Sequence, residues 1–425
     1  MAAGPAALGR RLSGASLQKV LEKNAIEIIP GELYFVSAPS PPPLSTEKQL
    51  IICTDAELHY EPFHKDFGPL NMAMLYRYCT RLSMLLKARQ HEGKPIYHWT
   101  SSGARDAAAR TNAAYLISAY AVVILGLTPE EAYTPLASLE HTFVGFRDAS
   151  YNATCAYRLP IIECLNGLVQ GMLHGWLDLG SFNMEEYEYY ERVENGDLNW
   201  VLPGKFIAFA GPHNEHKWDN GYPLLAPEDY FDYFSEGGVT DVIRLNNPLY
   251  EKSRFTDAGF VHHDLFFVDG SIPPEPIVEQ FLRIAESARG GIAIHCKAGL
   301  GRTGTLIALY MMKHYMLTAA ECIAWLRVSR PGSVLGPQQF YLQDKQEEMW
   351  SEGAKIGVVR KTLSGIADAA AAISDMDLGG AAGAAPGAAG HVPGEYAAPE
   401  TTAPEGVQQG DYLNAQKSRR QGGGK

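Results

Sequence analysis

His295-Cys296-Lys297-Ala298-Gly299-Leu300-Gly301-Arg302-Thr303-Gly304-Thr305 sets a cysteine and an arginine at the two ends of a seven-residue, glycine-rich loop. Gly291-Ile292-Ala293-Ile294 before it reads as a short buried strand, and Thr305-Leu306-Ile307-Ala308-Leu309-Tyr310-Met311-Met312 after it as an apolar helix. A strand, a tight glycine loop and a helix N-terminus bring successive backbone N–H groups onto one anion. The pattern predicts an α/β fold with a phosphate held by Lys297, Ala298, Gly299, Leu300, Gly301 and Arg302. Cys296 is placed to attack phosphorus, and Arg302 to grip two equatorial oxygens in a bidentate fork.

Each residue type in the loop has a physical reason. A free thiol has a pKa near ~8.5, and helix N-termini or nearby cations lower it to roughly 3.5–7.5. A resting thiolate is therefore expected at Cys296. Gly299, Gly301 and Gly304 permit positive φ and close approach of backbone to phosphate. Thr303 can donate its hydroxyl to the sulfur, easing its later departure. His295 is expected to orient the loop through backbone groups, not to act as a base. The alternative, a buried structural cysteine beside a strand–helix turn, leaves glycines, arginine and hydroxyl in register without a cause.

A thiolate alone does not expel an alkoxide; the leaving oxygen needs a proton from a neutral carboxylic acid. Asp269, 27 residues before Cys296, lies in a turn-prone Asp-Gly pair after the apolar run Leu265-Phe266-Phe267-Val268. Phe266, Phe267 and Val268 are expected to desolvate its carboxyl and raise its pKa. Asp264 is the competing candidate, but it falls inside the strand pattern, where bonds to backbone or His263 are expected.

The 425 residues give room for two domains with tails, and a hydrophobic content of 46% suffices for real cores. No run of eighteen apolar residues exists, so no membrane span is expected. Arg10, Arg11 and Lys19 near the start lack an apolar stretch beside them, so residues 1–27 read as a frayed extension, not a secretory leader. Cys53, Cys79, Cys155, Cys164, Cys296 and Cys322 have no regular spacing, which suggests free thiols in a reducing compartment. No His/Cys cluster argues for a metal. A net charge of −12 disfavours nucleic acid and favours basic partners. From about residue 364 the chain turns to alanine, glycine and proline, so residues 351–425 are expected to form a disordered tail. Lys417-Ser418-Arg419-Arg420 in it is either a targeting or partner patch or a solvated cluster.

The chain also repeats itself. Pro30-Gly31-Glu32-Leu33-Tyr34-Phe35 echoes Pro203-Gly204-Lys205-Phe206-Ile207-Ala208, Pro95-Ile96-Tyr97-His98 echoes Ile292-Ala293-Ile294-His295, and Leu127-Thr128-Pro129-Glu130-Glu131 echoes Leu317-Thr318-Ala319-Ala320-Glu321. The common order predicts two copies of one α/β domain, over residues 28–180 and 198–350. After His98 comes Trp99-Thr100-Ser101, with no cysteine at the nucleophile position, so the first copy should be catalytically dead. Arg105 and Arg110 remain nearby. Between the copies, residues 181–197 read as an acidic linker helix ending at Asn195-Gly196. Glu188 and Glu191 share one helical face, and Asp197 just beyond could add a third carboxylate. The residues alone leave a basic-residue groove and an ordinary solvated helix equally open.

Cys-x5-Arg-Thr with an upstream Asp-Gly loop resembles the cysteine-dependent dual-specificity phosphatases, and within them the cell-division-cycle branch of the Cdc-fourteen type. Phe143-Val144-Gly145-Phe146-Arg147-Asp148-Ala149, Glu194-Asn195-Gly196-Asp197-Leu198-Asn199-Trp200, Phe255-Thr256-Asp257-Ala258-Gly259-Phe260 and Arg330-Pro331-Gly332-Ser333-Val334-Leu335-Gly336-Pro337-Gln338-Gln339 carry the resemblance, which spans roughly residues 28 to 350. Gly145 departs from it, since the family more often carries proline there. The resemblance implies a degenerate N-terminal phosphatase domain that helps form the substrate cleft, and no metal or cofactor. It implies phosphotyrosine, phosphoserine and phosphothreonine substrates, favouring phosphoserine-proline followed by a basic residue, which tips Glu188, Glu191 and Asp197 toward the groove. It further implies reversal of proline-directed kinases in cell-cycle or ciliary control, in cytoplasm or nucleus, with centrosome, basal body or spindle association.

Hydrolysis would run in two steps: Cys296 attacks while Asp269 protonates the leaving oxygen, and water then attacks the phosphocysteine with Asp269 as base. Gln338 or Gln339 either positions that water or forms a structural turn. One rival is a phosphoinositide phosphatase, although that class tends to carry two lysines in the loop and Lys297 stands alone, with Leu300 at the second position. The other is a non-catalytic phosphopeptide-binding scaffold, against which Cys296, Arg302 and Asp269 together count.

Overall fold

Two Pro-Gly turns, at Pro30-Gly31 and Pro203-Gly204, each close an antiparallel hairpin, and from each hairpin grows a parallel sheet. The computed structural model describes residues 14–39, 42–151, 156–219, 222–362 and 409–422. The first half strings together α1 (Gly14–Asn24), β1 (Ala25–Ile29), β2 (Leu33–Ala38), β3 (Leu50–Ile52), α2 (Met72–Glu92), β4 (Ile96–Ser101), α3 (Ala107–Val123), α4 (Pro129–Tyr133) and α5 (Ile161–Leu173). After α6 (Met184–Glu191) come β5 (Leu198–Leu202), β6 (Phe206–Phe209), β7 (Lys217–Asp219), β8 (Tyr222–Leu224), α7 (Phe231–Glu236), β9 (Val239–Arg244), α8 (Ser253–Asp257) and β10 (Val261–Asp264). The second half ends with α9 (Glu275–Ser287), β11 (Gly291–His295), α10 (Gly301–Tyr315), α11 (Ala319–Ser329) and α12 (Gln338–Lys355), and α13 (Gln409–Gly422) follows.

The duplication is visible strand by strand. The first sheet runs β1-β2-β4-β3 and the second β5-β6-β11-β9-β10, the same order with one more edge strand. In the central pair of each, His98 stands beside Phe35 and His295 beside Phe209. Thr128 caps α4 through a reciprocal bond with Glu131, and Thr318 caps α11 with Glu321 in the same way. The two halves share one apolar core. Gly167 and Gly171 on α5 make this possible: a Cβ at Gly171 would lie 2.3 Å from the Trp325 ring and one at Gly167 2.8 Å from Ala324. Without side chains there, α5 and α11 pack backbone-close.

Several expected boundaries move. Residues 14–24 are not a frayed extension, because Leu17 and Leu21, one helical turn apart, bury against Val36, Ala38 and Trp99. The linker helix is short: α6 ends at Glu191, and Val193–Asn195 forms one tighter turn before Gly196. The catalytic half does not stop at 350, since α12 continues to Lys355, and 409–422 is helical instead of disordered. The Ala/Gly/Pro-rich run over 363–408, Cys155 and the side chains of Ser418, Arg419 and Arg420 lie outside the described residues. Among the described residues no helix is long and apolar enough to cross a membrane.

His98, fully buried, bonds Thr54 Oγ1 at 3.0 Å and Tyr78 OH at 2.9 Å. Burial pushes the pKa of His98 and of His295 down to about 3. Unfolded, each returns to about 6.5. Below that value the unfolded chain takes up protons that the folded one does not, so stability is full above about 6.5 and falls toward pH 3. Each histidine contributes a slope of about 1.4 kcal/mol per pH unit in that window. Urea unfolding of His98→Asn between pH 6 and 4.5 should show a slope lower by one proton than the parent; an unchanged slope would contradict this assignment.

Candidate active site

The loop after β11 is built by tying its carbonyls outward. Cys296 O accepts from His295 Nδ1 at 2.9 Å, Lys297 O from Gly211 N at 3.0 Å, and Ala298 O and Gly299 O from Arg330 Nη2 at 3.0 Å and Nε at 2.8 Å. Leu300 O accepts from Gly304 N at 3.0 Å and Gly301 O from Thr305 Oγ1 at 2.8 Å. Because N–H and C=O of a peptide unit point opposite ways, fixing these carbonyls outward turns the N–H groups into the concavity at the start of α10, an anion nest on a helix N-terminus. Gly299 sits at φ +66°, and a Cβ there would come within 1.9 Å of Phe209 O. Only glycine fits.

Cys296 stands at the base of this nest. Of the five described cysteines, burial pushes Cys53 up to about 11 and Cys79, Cys164 and Cys322 up as well. Burial also raises the Cys296 thiol, but the Arg302 guanidinium and hydrogen bonds from the Thr303 hydroxyl and backbone N–H outweigh it, against the opposing charge of Asp269. The net direction is downward, toward thiolate. Thr303 Oγ1 is buried without a hydrogen-bond partner among the described residues. His295 stays neutral and works on the backbone: Nδ1 holds Cys296 O, and Nε2 meets Tyr250 OH at 2.8 Å.

Arg302 presents one edge to the cleft. Its Nη1 donates to Phe267 O at 2.9 Å and Leu245 O at 3.2 Å, which fixes the guanidinium plane. Nε is buried without a partner among the described residues, and Nη2 pairs with Asp269 Oδ1 at 3.1 Å. The Asp269 carboxylate therefore sits on the edge a phosphate would take. Asp269 Oδ2 also accepts from Gly410 N at 2.6 Å. Phe266 and Val268 point to solvent and only Phe267 is buried, so the expected apolar cover of Asp269 does not form. Asp264 does not bond His263; it pairs with Arg244 at 2.7 Å, while His263 meets Asp241 at 2.8 Å.

Glu188, Glu191 and Asp197 line one cavity of about 600 Å³ with Arg77, Asn71 and Arg330. They are not equivalent. Arg77 pairs with Glu188, Asn71 Nδ2 donates to both Glu191 oxygens at 3.3 Å, and Asp197 is buried past the end of α6. Asp197 meets Arg330 Nη2 at 3.0 Å and Lys417 Nζ at 2.5 and 2.6 Å. Lys417 belongs to α13, which lies across the site: Asp411 pairs with Lys297, Tyr412 OH meets His64 Nδ1 at 3.0 Å, and Leu413 packs on Ala298 and Leu300. Gln338 is fully buried; Leu335 N donates to its Oε1 and its Nε2 donates to Ser271 O, both at 3.0 Å.

Arg330 and Asp148 have no role of their own in the sequence patterns, and the 409–417 segment enters there only through Lys417, as part of a targeting or partner patch or a solvated cluster. Arg330 stands beside Arg327 and Ser329 at the end of α11, so no local pattern singles it out. Asp148 and α13 act across the fold and leave no local pattern.

Two family models match: "Dual specificity protein phosphatase, N-terminal half" over residues 27–171, and "Polymorphic toxin system, DSP-PTPase phosphatase" over 223–316. Dual specificity protein phosphatase CDC14A of Homo sapiens is 48% identical over 409 residues, covering 93% of this chain and 67% of the relative. CDC14B of Mus musculus is 45% identical over 389 residues, 89% of this chain and 77% of the relative. Tyrosine-protein phosphatase cdc-14 of Caenorhabditis elegans is 46% identical over 347 residues, 80% and 49%. The chain spans 67%, 54% and 53% of the first three relatives it matches, all of the CDC14A type.

Gly299→Ala should weaken oxyanion binding, because positive φ and the Phe209 carbonyl both oppose a methyl group. Strain of about 1–3 kcal/mol corresponds to roughly tenfold or more in affinity. Calorimetric titration with tungstate checks it, and unchanged affinity with retained circular dichroism would count against the nest.

Proposed function

We propose the following chemistry for this chain, which belongs to the CDC14-type dual specificity protein phosphatases: metal-independent hydrolysis of phosphoserine, phosphothreonine and phosphotyrosine through a phosphocysteine. One observation carries the reading. Cys296 is as buried as the other core cysteines, yet it alone among the described cysteines with a shifted pKa is drawn down, at the base of an amide nest beside Arg302.

In the first step the Cys296 sulfur forms a bond to phosphorus as the P–O ester bond breaks. Arg302 turns its Nε–Nη2 edge to two phosphoryl oxygens, which displaces Asp269 from that edge. Asp269, in its protonated form, gives its proton to the leaving oxygen. In the second step a water oxygen attacks phosphorus, Asp269 takes the water's proton, and the P–S bond breaks to return thiolate and inorganic phosphate. Gln338, between the nest and the acid loop, orients that water. Buried Leu300 supplies no second cation for an extra phosphate, which favours phosphoprotein over phosphoinositide substrates.

Substrates with a basic residue after Ser-Pro, as produced by proline-directed kinases of the cell cycle, are part of the same proposal. Its support is the chain's own Lys417, whose ammonium sits on the Asp197 carboxylate in the lining of the acidic cavity. A substrate ammonium entering there takes the place of Lys417.

Cys296→Ser should abolish turnover of a phosphoserine-proline peptide while keeping its binding. Asp269→Asn should slow that peptide by roughly 10²–10⁴-fold but an aryl phosphate far less, since a phenolate leaves without a proton. Equal losses on both substrates would reduce Asp269 to a loop-shaping residue. Reversing Glu188 and Glu191 to lysine should raise KM several-fold for a peptide with lysine after Ser-Pro, the scale of about 0.2–1 kcal/mol per exposed pair. An aryl phosphate should be unaffected; identical KM values for basic and neutral peptides would remove the groove.

A further inference from the structure

Asp148 belongs to the half without a nucleophile, yet its carboxylate reaches into the other half. It is fully buried. Its Oδ2 accepts from Gly336 N at 2.8 Å and from Gln339 Nε2 at 2.5 Å, while Oδ1 accepts from Ser150 N at 3.0 Å and Ser150 Oγ at 2.5 Å. From the opposite side Arg327 of α11 donates Nε to Ser333 O at 3.1 Å, and Nη2 to Val334 O at 3.1 Å and Gln339 Oε1 at 2.6 Å. The 333–339 turn is clamped between a carboxylate of one half and a guanidinium of the other.

The clamp has strain to hold. Val334, a β-branched residue, sits at φ +61°. Such a residue keeps a left-handed conformation only where its surroundings over-determine it. What the turn carries explains the arrangement. Val334 N donates to Leu300 O at 3.3 Å, and Leu335 packs with Ala298 and Leu300 of the nest and with Ala149, the neighbour of Asp148. Gln338 follows directly, its Oε1 about where a Cβ on Gly301 would be 3.0 Å away. Cys296, Arg302 and Asp269 have other anchors: Arg302 rests on Leu245 O and Phe267 O, and Leu300 O is held by Gly304 N as well.

We propose that Asp148 is a positioning residue for the second half-reaction, fixing the turn that aims the Gln338 amide at the water attacking the phosphocysteine. The inference rests on the two-step reading above and deepens it: the degenerate half serves hydrolysis of the intermediate as well as lining the cleft. No bond of Asp148 reaches a group of the first step. Its loss should therefore divide the two steps, which a general packing role does not do.

In Asp148→Asn one carboxylate oxygen becomes a donor: with Nδ2 toward Gly336 N and Gln339 Nε2 the turn loses its acceptor, and the Ser150 N–H opposes the flipped amide. With an aryl phosphate in stopped flow, the phenolate burst rate and kcat/KM should stay within about twofold of the parent, because both report the first step. The steady-state kcat should fall roughly tenfold, the scale of a misplaced reacting group, KM should fall with it, and acid-quenched phosphoenzyme should accumulate. A parallel fall of kcat and kcat/KM, or no change in either, overturns the proposal. If the single variant does not fold, Gln339→Leu removes the same bond from the catalytic side and must give the same split. Retained turnover in Cys296→Ser overturns the two-step reading itself, a result distinct from either.

Discussion

Everything in the catalytic half depends on where six peptide carbonyls point. From Cys296 to Gly301 each is bonded on the side away from the cleft, by a histidine ring, a strand-end amide, one arginine, the helix turn or a threonine hydroxyl. A peptide unit that commits its oxygen in one direction commits its N–H in the other. The nest is therefore built before any phosphate arrives, and preorganised donors lose nothing to reorganisation at the moment of transfer. The lowered Cys296 thiol follows from the same arrangement, since the helix start and Arg302 that favour a phosphoryl group also favour a thiolate.

Arg330 links this nest to the rest of the molecule. One guanidinium holds two nest carbonyls, Asn199 at the first strand of the second sheet and Asp197 at the end of the connection between halves. Asp197 is in turn where Lys417 docks, so the acidic cavity between the halves and the carbonyls of the nest share one side chain. The 409–417 segment bonds Asp269, Lys297 and Asp197 together.

The loop from Cys296 to Thr303 was legible because its parts are contiguous: cysteine, glycines, arginine and threonine fall within one turn of chain. The duplication was legible because a hairpin turn, a central strand ending in histidine and a capped helix recur in one order. What escaped was long-range. Phe266 and Val268 look like cover for Asp269 in sequence, but the chain leaves β10 at Asp264 and alternate residues then face solvent. Leu17 and Leu21 are too few to announce a helix until Val36 and Trp99 lie beneath them. The 409–422 helix is polar along most of its length and is held by Tyr412, Leu413 and Lys417, contacts that no local pattern announces.

The account turns on the claim that outward-tied carbonyls make the anion nest, and Arg330 tests it most directly. In a Cys296→Ser background, Arg330→Lys keeps a cation for Asp197 but gives up the planar fork that spans Ala298 O and Gly299 O. Tungstate titration by calorimetry should show roughly tenfold weaker binding or worse, the cost of losing about one well-placed charged hydrogen bond. An unchanged dissociation constant in a folded variant would contradict the account.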